Sequence, residues 1–565
     1  MRAGIGRNEG LLLAMVAAIP CLFLSACQEA GSSSPDTAIP LGPTPPAAHA
    51  ATADPIAITT VEEIVPSMRF KYGETPANNW HTKWARERHG IDFKVLWSAD
   101  SQNEAYVTKL RLSLDADEPL PDTFHVYDKM FAGELIEAGK LLDITEEFER
   151  YASPRMKELY AKYPEVWYPV TYNGRKYGLP VLTAGDEQDT LMFIRRDWLD
   201  KLGLEPPATI EELENVMDAF VNEDPDGNGL KDTIGMSAGI KDSVSSVVGD
   251  ASWLFGSYGD ALPDQWILTD DGTLQYGSLQ PNAKQALSKY AEWLRKGYLD
   301  PEIALMDGVM AADAFTRGKS GIYFGAFWSG GWPLGDVKTN VPGAEVMAYP
   351  LPSGPNGQIA RKATPLSLGL ILFNKDFAHM DRILQYYDDL YGFVFSGETD
   401  VLRFGFAEGY DYALVNGEPV YDDDRIPGGK IEAQKVILSN EEPNIPFKQT
   451  KIYYDLYHGK KPESFYEKYL SGAGPEILQA GAVNYEMMNY SVRDRFIGAP
   501  TPAMKERHEY LRSLENDTFT RIIYGNAPLE QFDDFVRKWK SSGGDVITRE
   551  VNDWYRTVNP EMRRE

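Results

Sequence analysis

Apolar and polar residues follow two different patterns along the first part of the chain. Residues 91–97 and 123–127 are short, largely apolar runs typical of strands, while residues 103–114 set apolar positions among Lys and Arg and predict a helix. Strands that alternate with helices are typical of βαβ units. The pattern therefore predicts an α/β fold built on a mostly parallel sheet.

The end of one predicted strand offers candidate binding residues. Tyr127 closes the strand at residues 123–127, and Asp128 follows it directly. In open α/β sheets, ligands bind beside the carboxyl ends of the strands. Tyr127 and Asp128 are therefore candidate ligand-binding residues.

The N-terminus has the features of an export signal. An apolar run at residues 11–24 follows Arg2 and Arg7, as in a secretory signal peptide. The sequence Leu-Ser-Ala before Cys27 resembles the bacterial lipobox, in which the Cys thiol receives a diacylglyceryl group. The alternatives are an ordinary cleaved signal with a chance Cys, or an uncleaved membrane helix, for which the run is short.

The residues after the signal divide into a tether and a large folded part. Residues 1–26 are the predicted signal peptide, and residues 27–55 the lipidated Cys and a tether. The tether is rich in Ser, Pro, Ala and Thr and has no large apolar cluster, so it is expected to be disordered. The remaining chain to residue 565 is too long for a single core and is expected to form two lobes or more.

Charge and composition narrow the function. The chain has 56 Lys and Arg against 84 Asp and Glu, a net charge of -28, which argues against a nucleic acid partner. Cys21 and Cys27 are the only cysteines, so the folded part can form no disulfide or thiolate metal site. The 12 Trp and 31 Tyr are typical of amphipathic binding surfaces.

Several segments carry a resemblance to a known family. They are residues 138–145, 173–180, 193–204, 206–209 and the helix predicted at 210–220. Together they resemble the extracellular solute-binding proteins of carbohydrate ABC importers, solute-binding family 1, and are most similar to its large lipoprotein branch, which includes alginate-oligosaccharide-binding proteins. The resemblance implies a two-lobed, type II periplasmic-binding-protein-like α/β fold with a ligand cleft between the lobes.

The resemblance also implies how the chain divides. Residues 56–185 and 322–368 are expected in the N-terminal lobe, and residues 186–321 and 369–565 in the C-terminal lobe. The first crossing between lobes is expected at residues 183–191 and works as a hinge in the resembled family.

Two carboxylates lie in that hinge segment. Asp186 and Glu187 are expected to face the cleft, where they would accept hydrogen bonds from sugar hydroxyls. The alternative is a solvated acidic turn, because the chain carries so many acidic residues. The sequence leaves both interpretations open.

Residues 224–232 form the sharpest chemical motif. Oxygen ligands alternate at Asp224, Asp226, Asn228, the Leu230 carbonyl and Asp232. They match positions 1, 3, 5, 7 and 9 of an EF-hand calcium loop. Gly235 stands where an EF-hand has its bidentate Glu, so a regulatory EF-hand is not expected. The resembled family has a shortened structural calcium loop, which implies calcium as a structural cofactor; an empty Asp/Asn/Gly turn is the alternative.

Aromatic residues in glycine-rich turns are the remaining candidates. Trp253 and Tyr258 are candidates either for ligand binding or for the core. Trp328 and Trp332 follow residues 321–325, which resemble the second crossing between lobes. Their glycine-flanked turn favours stacking of the rings on a sugar over burial in the core.

Two functions compete for this pattern. The favoured one is a lipid-anchored receptor on the extracellular face of the cell membrane, expected to be a monomer, which binds a carbohydrate between its lobes and delivers it to the permease subunits of an ABC transporter. Such a receptor is not an enzyme and needs no catalytic residue. The alternative is a secreted glycoside hydrolase with two catalytic carboxylates, but no pair stands out by its spacing.

We expect Cys27→Ala to abolish membrane attachment, because the substitution removes the thiol that would carry the lipid. Fractionation of the producing cells should find wild type in the membrane and the variant in the medium or unprocessed. Cys21→Ala is the matched control and should stay with the membrane. A Cys27→Ala protein that remains membrane-bound at normal size contradicts the prediction.

Overall fold

The computed structural model describes residues 55–101, 105–116, 118–395 and 400–559. The predicted signal peptide, Cys27 and nearly all of the predicted tether therefore lie outside the described residues. Within the described ranges, no helix is both long and apolar enough to cross a membrane.

The strands are short and spread along the described chain. They are β1 (Ile56–Ile64), β2 (Ile91–Asp100), β3 (Thr123–Val126), β4 (Thr171–Tyr172), β5 (Arg175–Lys176), β6 (Leu179–Leu182), β7 (Thr190–Arg195), β8 (Ile234–Ser237), β9 (Trp266–Leu268), β10 (Leu274–Tyr276), β11 (Ser320–Ala326), β12 (Val346–Tyr349), β13 (Arg361–Lys362), β14 (Ser367–Phe373), β15 (Ala413–Val415), β16 (Glu418–Val420) and β17 (Ser491–Val492).

The α-helices lie between and after these strands. They are α1 (Trp80–His89), α2 (Ala105–Asp115), α3 (Lys129–Glu137), α4 (Thr145–Tyr151), α5 (Pro154–Lys162), α6 (Arg196–Leu202), α7 (Ile210–Asn222), α8 (Trp253–Gly256), α9 (Pro281–Lys296), α10 (Gly308–Thr316), α11 (Val337–Asn340), α12 (Met380–Leu390), α13 (Gly392–Phe395), α14 (Lys448–Tyr457), α15 (Phe465–Ser471), α16 (Pro475–Glu486), α17 (Pro502–Ile523), α18 (Gln531–Trp539) and α19 (Asp545–Val558).

Local sequence explains where several helices begin and end. Thr209 and Glu212 form a capping box, in which the Glu212 N–H donates to Thr209 Oγ1 at 3.2 Å and the Glu212 carboxylate accepts from the Thr209 N–H. Both orphan donors of the first turn are thereby satisfied, so α7 begins at Ile210, as predicted. Gly139 has a φ of 63°, and this left-handed residue stops the chain from continuing α3.

The first half of the fold combines a parallel strand pair with an antiparallel sheet. β1 pairs with β2 in parallel, with α1 between them in sequence, which is the predicted βαβ pattern. β14 lies between β3 and β6 and runs antiparallel to both, so the sheet is more mixed than predicted. All four residues of β3 and of β6 are buried.

The second half is built on a four-stranded sheet in the order β12, β7, β11, β8. Every residue of β7 and β11 is buried. Near-continuous apolar strands of this kind are covered on both faces, which fits their central position in the sheet. Helix α7 packs on this sheet against β8 and β11.

Strand pairing corrects the expected exchange of segments between the lobes. Residues 322–368 were expected with the first lobe, but β11 is hydrogen-bonded between β7 and β8 in the second sheet. β14 lies in the first sheet, although residues from 369 onward were expected in the second lobe. The physical reason is that β11 is buried throughout and needs hydrogen-bonding partners on both of its edges.

The C-terminal helices contact both halves. Lys505 of α17 forms an ion pair with Glu137 of α3 at 2.7 Å, and Trp554 of α19 packs edge-on against Tyr168 with 5.8 Å between ring centroids. On its other side α17 packs against α9, which belongs to the second half. The part of the chain where the family resemblance is diffuse therefore bridges the two halves.

Candidate functional site

Three segments meet at one edge of the second sheet. β8 and β11 are parallel, so the loops that follow their carboxyl ends leave from the same edge. The Ala326 N–H donates to the Val247 carbonyl at 2.9 Å, which joins those two loops. Thr190, the first residue of β7, pairs with Ala326. We call this edge, marked by Thr190, Val247 and Ala326, the shared edge; it is where an α/β sheet places its ligand.

Trp328 and Trp332 form a stacked pair just beyond the shared edge. Their ring centroids are 6.1 Å apart and their planes differ by 26°. Trp332 is 57% exposed, whereas Trp328 is half-buried and packs on the core. Phe327 anchors the turn edge-on against Tyr453 of α14, at 5.5 Å between centroids. The structure thus brings these two predicted residues together with an aromatic face open to solvent.

Residues 183–189 carry the chain from β6 in the first sheet to β7 in the second, where the crossing was expected. Backbone hydrogen bonds hold this segment on both sides. The Thr183 N–H donates to the Leu366 carbonyl at 3.1 Å, and the Phe447 N–H donates to the Ala184 carbonyl at 2.6 Å. Three stretches of chain therefore run together at the connection between the sheets.

A buried ion pair lies at the end of this crossing. Asp189 and Arg361 have side chains that are 0% exposed, and the Arg361 Nη2 lies 3.5 Å from the Asp189 carboxylate. Asp189 also accepts from the Thr364 N–H at 2.6 Å, and Arg361 donates to Asn484 Oδ1 at 2.7 Å. Both charges are thereby paired and hydrogen-bonded, the condition under which buried ions are tolerated.

Arg493 closes the same connection from the C-terminal side. Its guanidinium donates to the carbonyls of Thr364 at 2.8 Å and Gly185 at 3.2 Å. Asn484 Nδ2 adds a bond to the Asp186 carbonyl at 2.8 Å. Because backbone carbonyls in loops seldom find partners by themselves, these side chains satisfy the crossing segment where it lacks sheet pairing.

The two hinge carboxylates are more buried than a solvated acidic turn allows. Asp186 is 1% exposed and accepts from Thr450 Oγ1, so it is not free to face a cleft with both oxygens. Burial raises its pKa to about 7. Burial also raises the pKa of Glu187 to about 8, and its Oε2 is buried with no hydrogen-bond partner among the described residues. Glu187 is therefore mostly protonated at pH 7 and has an unused oxygen.

The residues at the end of β3 have different roles. Asp128 Oδ1 accepts from two backbone N–H groups in the first turn of α3, at 2.8 and 3.1 Å, and Oδ2 lies 3.1 Å from Arg111. Its carboxylate therefore caps a helix, which corrects its expected role as a ligand contact. Tyr127 is half-buried, packs edge-on against His125 at 4.4 Å, and has a pKa raised by burial.

Two other aromatic candidates lie away from the Trp pair. Trp253 is 1% exposed and stacks on Phe324 of β11 at 4.0 Å, so it belongs to the core and not to a binding surface. The reason is that the short helix α8 turns its ring onto the second sheet. Tyr258 is half-buried, and its charged neighbours are Lys289 of α9 and Glu214 of α7.

The loop at residues 224–232 gathers its side chains closely. Asn228 Nδ2 lies 2.7 Å from Asp226 Oδ2 and 3.0 Å from Asp232 Oδ1. Lys319 Nζ is bonded to Asp232 and lies 3.8 Å from Asp226. Among the described residues, no three His, Cys, Asp or Glu side chains already have the spacing of metal ligands. In this arrangement an amide and an ammonium group occupy the space between the carboxylates.

A cavity of about 390 Å³ was missed by the sequence analysis. We call it the hairpin cavity, because β9 and β10 form one wall. Its lining residues are Ser243, Ser245, Asp264, Trp266, Tyr276, Lys362, Asp494, Phe496, Met504, His508, Leu511, Arg512, Trp539 and Ile547. They come from positions about 300 residues apart, so no local motif could have indicated them.

The hairpin cavity joins apolar rings to polar groups. Tyr276 and Trp539 are stacked 5.1 Å apart with planes 11° from parallel, and Trp266 is 5% exposed. Asp264 accepts from Ser243 Oγ at 2.8 Å. Ser243 and Ser245 lie on the loop after β8, whose Val247 contacts the shared edge. A mostly apolar wall with a few placed polar groups is typical of small-molecule sites of this size.

Comparison with known families and proteins agrees with this architecture. The family model for bacterial extracellular solute-binding protein matches residues 73–376. The polygalacturonan/rhamnogalacturonan-binding protein YtcQ of Bacillus subtilis (strain 168) is 23% identical over 505 residues, which cover 86% of this chain and 90% of YtcQ.

Two solved structures have a similar fold. The alginate-binding protein AlgQ2 without calcium ion matches with a TM-score of 0.63 and 19% identity, covering 89% of this chain and 98% of AlgQ2. The Streptococcus pneumoniae ABC-transporter substrate-binding protein FusA, an EF-hand mutant in complex with fructo-nystose, matches with a TM-score of 0.61 and 19% identity, covering 89% of this chain and 99% of FusA. The predicted two-lobed α/β fold is confirmed.

We expect Arg361→Met to lower the free energy of unfolding by about 3–5 kcal/mol, because it leaves the Asp189 carboxylate buried and without its counter-charge. Urea denaturation measures the loss. Combining it with Asp189→Asn should recover part of the stability. Arg317→Met is the control, since Arg317 pairs with Asp313 on the surface and such pairs contribute less than about 1 kcal/mol. Equal losses in both single variants contradict the prediction.

Proposed function

The chain belongs to the bacterial extracellular solute-binding protein family, and we propose that it binds an oligosaccharide between its two lobes and presents it to the permease of an ABC importer. The observation that carries this proposal is the exposed, stacked Trp328–Trp332 pair at the shared edge. Aromatic rings stack on the C–H faces of sugars while hydroxyl groups hydrogen-bond nearby. Binding and release need no nucleophile or metal.

The residues around the crossing have complementary roles in this proposal. Trp328 and Trp332 provide apolar contact, and Glu187 provides a carboxyl whose Oε2 has no protein partner among the described residues. A protonated carboxyl both donates and accepts, so it suits a sugar hydroxyl. The crossing segments act as the hinge about which the lobes close on the ligand.

The names of the related proteins support a carbohydrate ligand. YtcQ is named for polygalacturonan and rhamnogalacturonan, AlgQ2 for alginate, and FusA is an ABC-transporter protein bound to fructo-nystose. These carbohydrates include both acidic and neutral chains. The shared feature is an oligosaccharide, and we propose the same class here.

We propose further that the protein is a monomer held at the extracellular face of the membrane by a lipid on Cys27. The residues before Cys27 and the Ser- and Pro-rich tether after it support this arrangement. A tether of that composition behaves as a flexible chain. It would let the folded part capture a sugar while staying near the permease.

We propose that the loop at residues 224–232 holds a structural calcium ion. The residues that would bind it are Asp224, Asp226, Asn228, Asp232 and the Leu230 carbonyl. Their fit rests on convergence of the side chains: burial, and then the neighbouring Asp224, raise the pKa of Asp226. Carboxylates crowded in this way are stabilised by a cation. Calcium would replace Lys319 and the Asn228 amide as the positive partner and tie α7 to β8.

We expect Trp328→Ala to weaken sugar binding about tenfold to a hundredfold, because removing the ring deletes apolar contact of about 1.5–3 kcal/mol. A glycan array would first identify the sugar, and calorimetry with that sugar would measure the loss. Tyr151→Ala is the matched control, since Tyr151 is an exposed aromatic on α4.

The fold of the Trp328→Ala protein should survive, so its melting temperature is measured alongside. Unchanged affinity in a normally folded variant returns Trp328 to a packing role. Turnover of the identified sugar by the wild type contradicts the proposal of a binding protein and favours a hydrolase.

We expect a calcium chelator to lower the melting temperature of the wild type, because bound calcium at a hundredfold excess over its Kd stabilises the fold by about 2.7 kcal/mol. Asp226→Ala should melt at one temperature with or without chelator. Asp271→Ala serves as the control, since Asp271 accepts hydrogen bonds in another tight turn and its removal should leave the calcium response intact. A wild type indifferent to calcium and chelator sinks the proposal.

A further inference from the structure

We propose that the carbohydrate carries a carboxylate, as a uronate does, and that Lys362, His508 and Arg512 in the hairpin cavity bind that group. This inference rests on the proposed sugar-binding function and names the class of sugar. It assigns the cavity as the part of the site that recognises charge, beside the Trp328–Trp332 pair that recognises ring faces.

The argument begins with unused donors. Lys362, His508 and Arg512 line the cavity, and none makes a side-chain hydrogen bond or an ion pair with another residue that the structure describes. Most other basic side chains in this acidic protein have a carboxylate within 4 Å, as Arg521 of the same helix has Asp517 at 3.7 Å. Three basic groups facing one cavity without acidic partners indicate a ligand that accepts hydrogen bonds and carries negative charge.

The acidic groups of the cavity are already engaged. Asp264 accepts from Ser243 Oγ at 2.8 Å and from the Tyr276 hydroxyl at 3.2 Å, so both its oxygens are used. Asp494 Oδ1 accepts from the backbone N–H groups of Trp266 and Phe496, each at 3.0 Å. Its Oδ2 remains for a sugar hydroxyl. The protein thus satisfies its acids and leaves its bases for the ligand.

Charge near the cavity differs from that of the whole chain. Although the net charge is -28, the ammonium groups of Lys129 and Lys362 both act on Asp494, so two cations face that single carboxylate. Glu515 lies behind the lining and is 2% exposed; burial raises its pKa to about 8, so it is mostly uncharged at pH 7. The overall negative charge therefore does not exclude an acidic sugar here.

The remaining wall suits a sugar ring. The stacked rings of Tyr276 and Trp539 and the indole of Trp266 supply flat apolar surfaces. A cavity of about 390 Å³ falls within the range of small-molecule sites, and its loop after β8 continues to the shared edge. An oligosaccharide lying along this loop would reach both the Trp pair and the basic groups.

Isothermal titration with the full-length protein tests the proposal. The probes are the trisaccharides of galacturonate, mannuronate and guluronate, each paired with its carboxyl-reduced, uncharged counterpart. We expect at least one acidic trisaccharide to bind about tenfold tighter than its reduced counterpart, because a charge-assisted bidentate contact is lost on reduction. Raising the salt concentration should narrow that difference.

Two substitutions assign the preference to the cavity. Arg512→Gln and Lys362→Gln should each reduce the ratio of acidic to reduced affinity by several-fold. Arg521→Gln is the control, because Arg521 lies on the same helix, is exposed and pairs with Asp517. A ratio unchanged in both cavity variants overturns the assignment of these residues.

The outcomes also separate this inference from the proposed function. If reduced or other neutral oligosaccharides bind and no acidic one binds tighter than its counterpart, the inference is wrong while sugar binding stands. If no oligosaccharide of either kind binds to folded protein, the proposed function fails, and the inference fails with it.

Discussion

The buried pair of Asp189 and Arg361 is the constraint on which the connection between the two sheets depends. An unpaired charge in such a place costs several kcal/mol, so neither side chain can be buried without the other. Their remaining hydrogen-bonding groups are taken by Thr364, Asn484 and Ser491, which come from different parts of the chain. These segments must therefore arrive together before any of them is stable in place.

This arrangement fixes the position of the binding residues. Thr190 follows Asp189 directly and pairs with Ala326 across β7 and β11. Trp328 lies two residues beyond Ala326, so a short, fully buried stretch of sheet relates the aromatic pair to the ion pair. The Trp platform is consequently held on a rigid element next to the hinge. A site built this way keeps its geometry while the opposite lobe moves.

Local rules in the sequence predicted much of this fold, and long-range packing decided the rest. The Thr209–Glu212 capping box marks the start of α7 because both of its hydrogen bonds form within one turn. Asp128 looked equally available for a ligand, yet the same local chemistry made it a helix cap. Trp253 and the pairing of β11 depend on which surface of a distant sheet needs covering, and the hairpin cavity depends on four separated segments. Periodicity carries no information of that kind.

The contacts between the two halves fall into two energetic classes, and this division makes a hinge possible. Lys505 and Glu137 form a partly exposed ion pair, which is worth about 0–1 kcal/mol, and Trp554 packs edge-on against Tyr168. Such contacts can break and re-form when the lobes open. The buried pair at the crossing costs far more to separate, so it stays closed in every state of the folded protein. Motion is thereby directed to the flanking segments, and opening of the lobes releases the C-terminal helices from the first half while leaving the crossing intact.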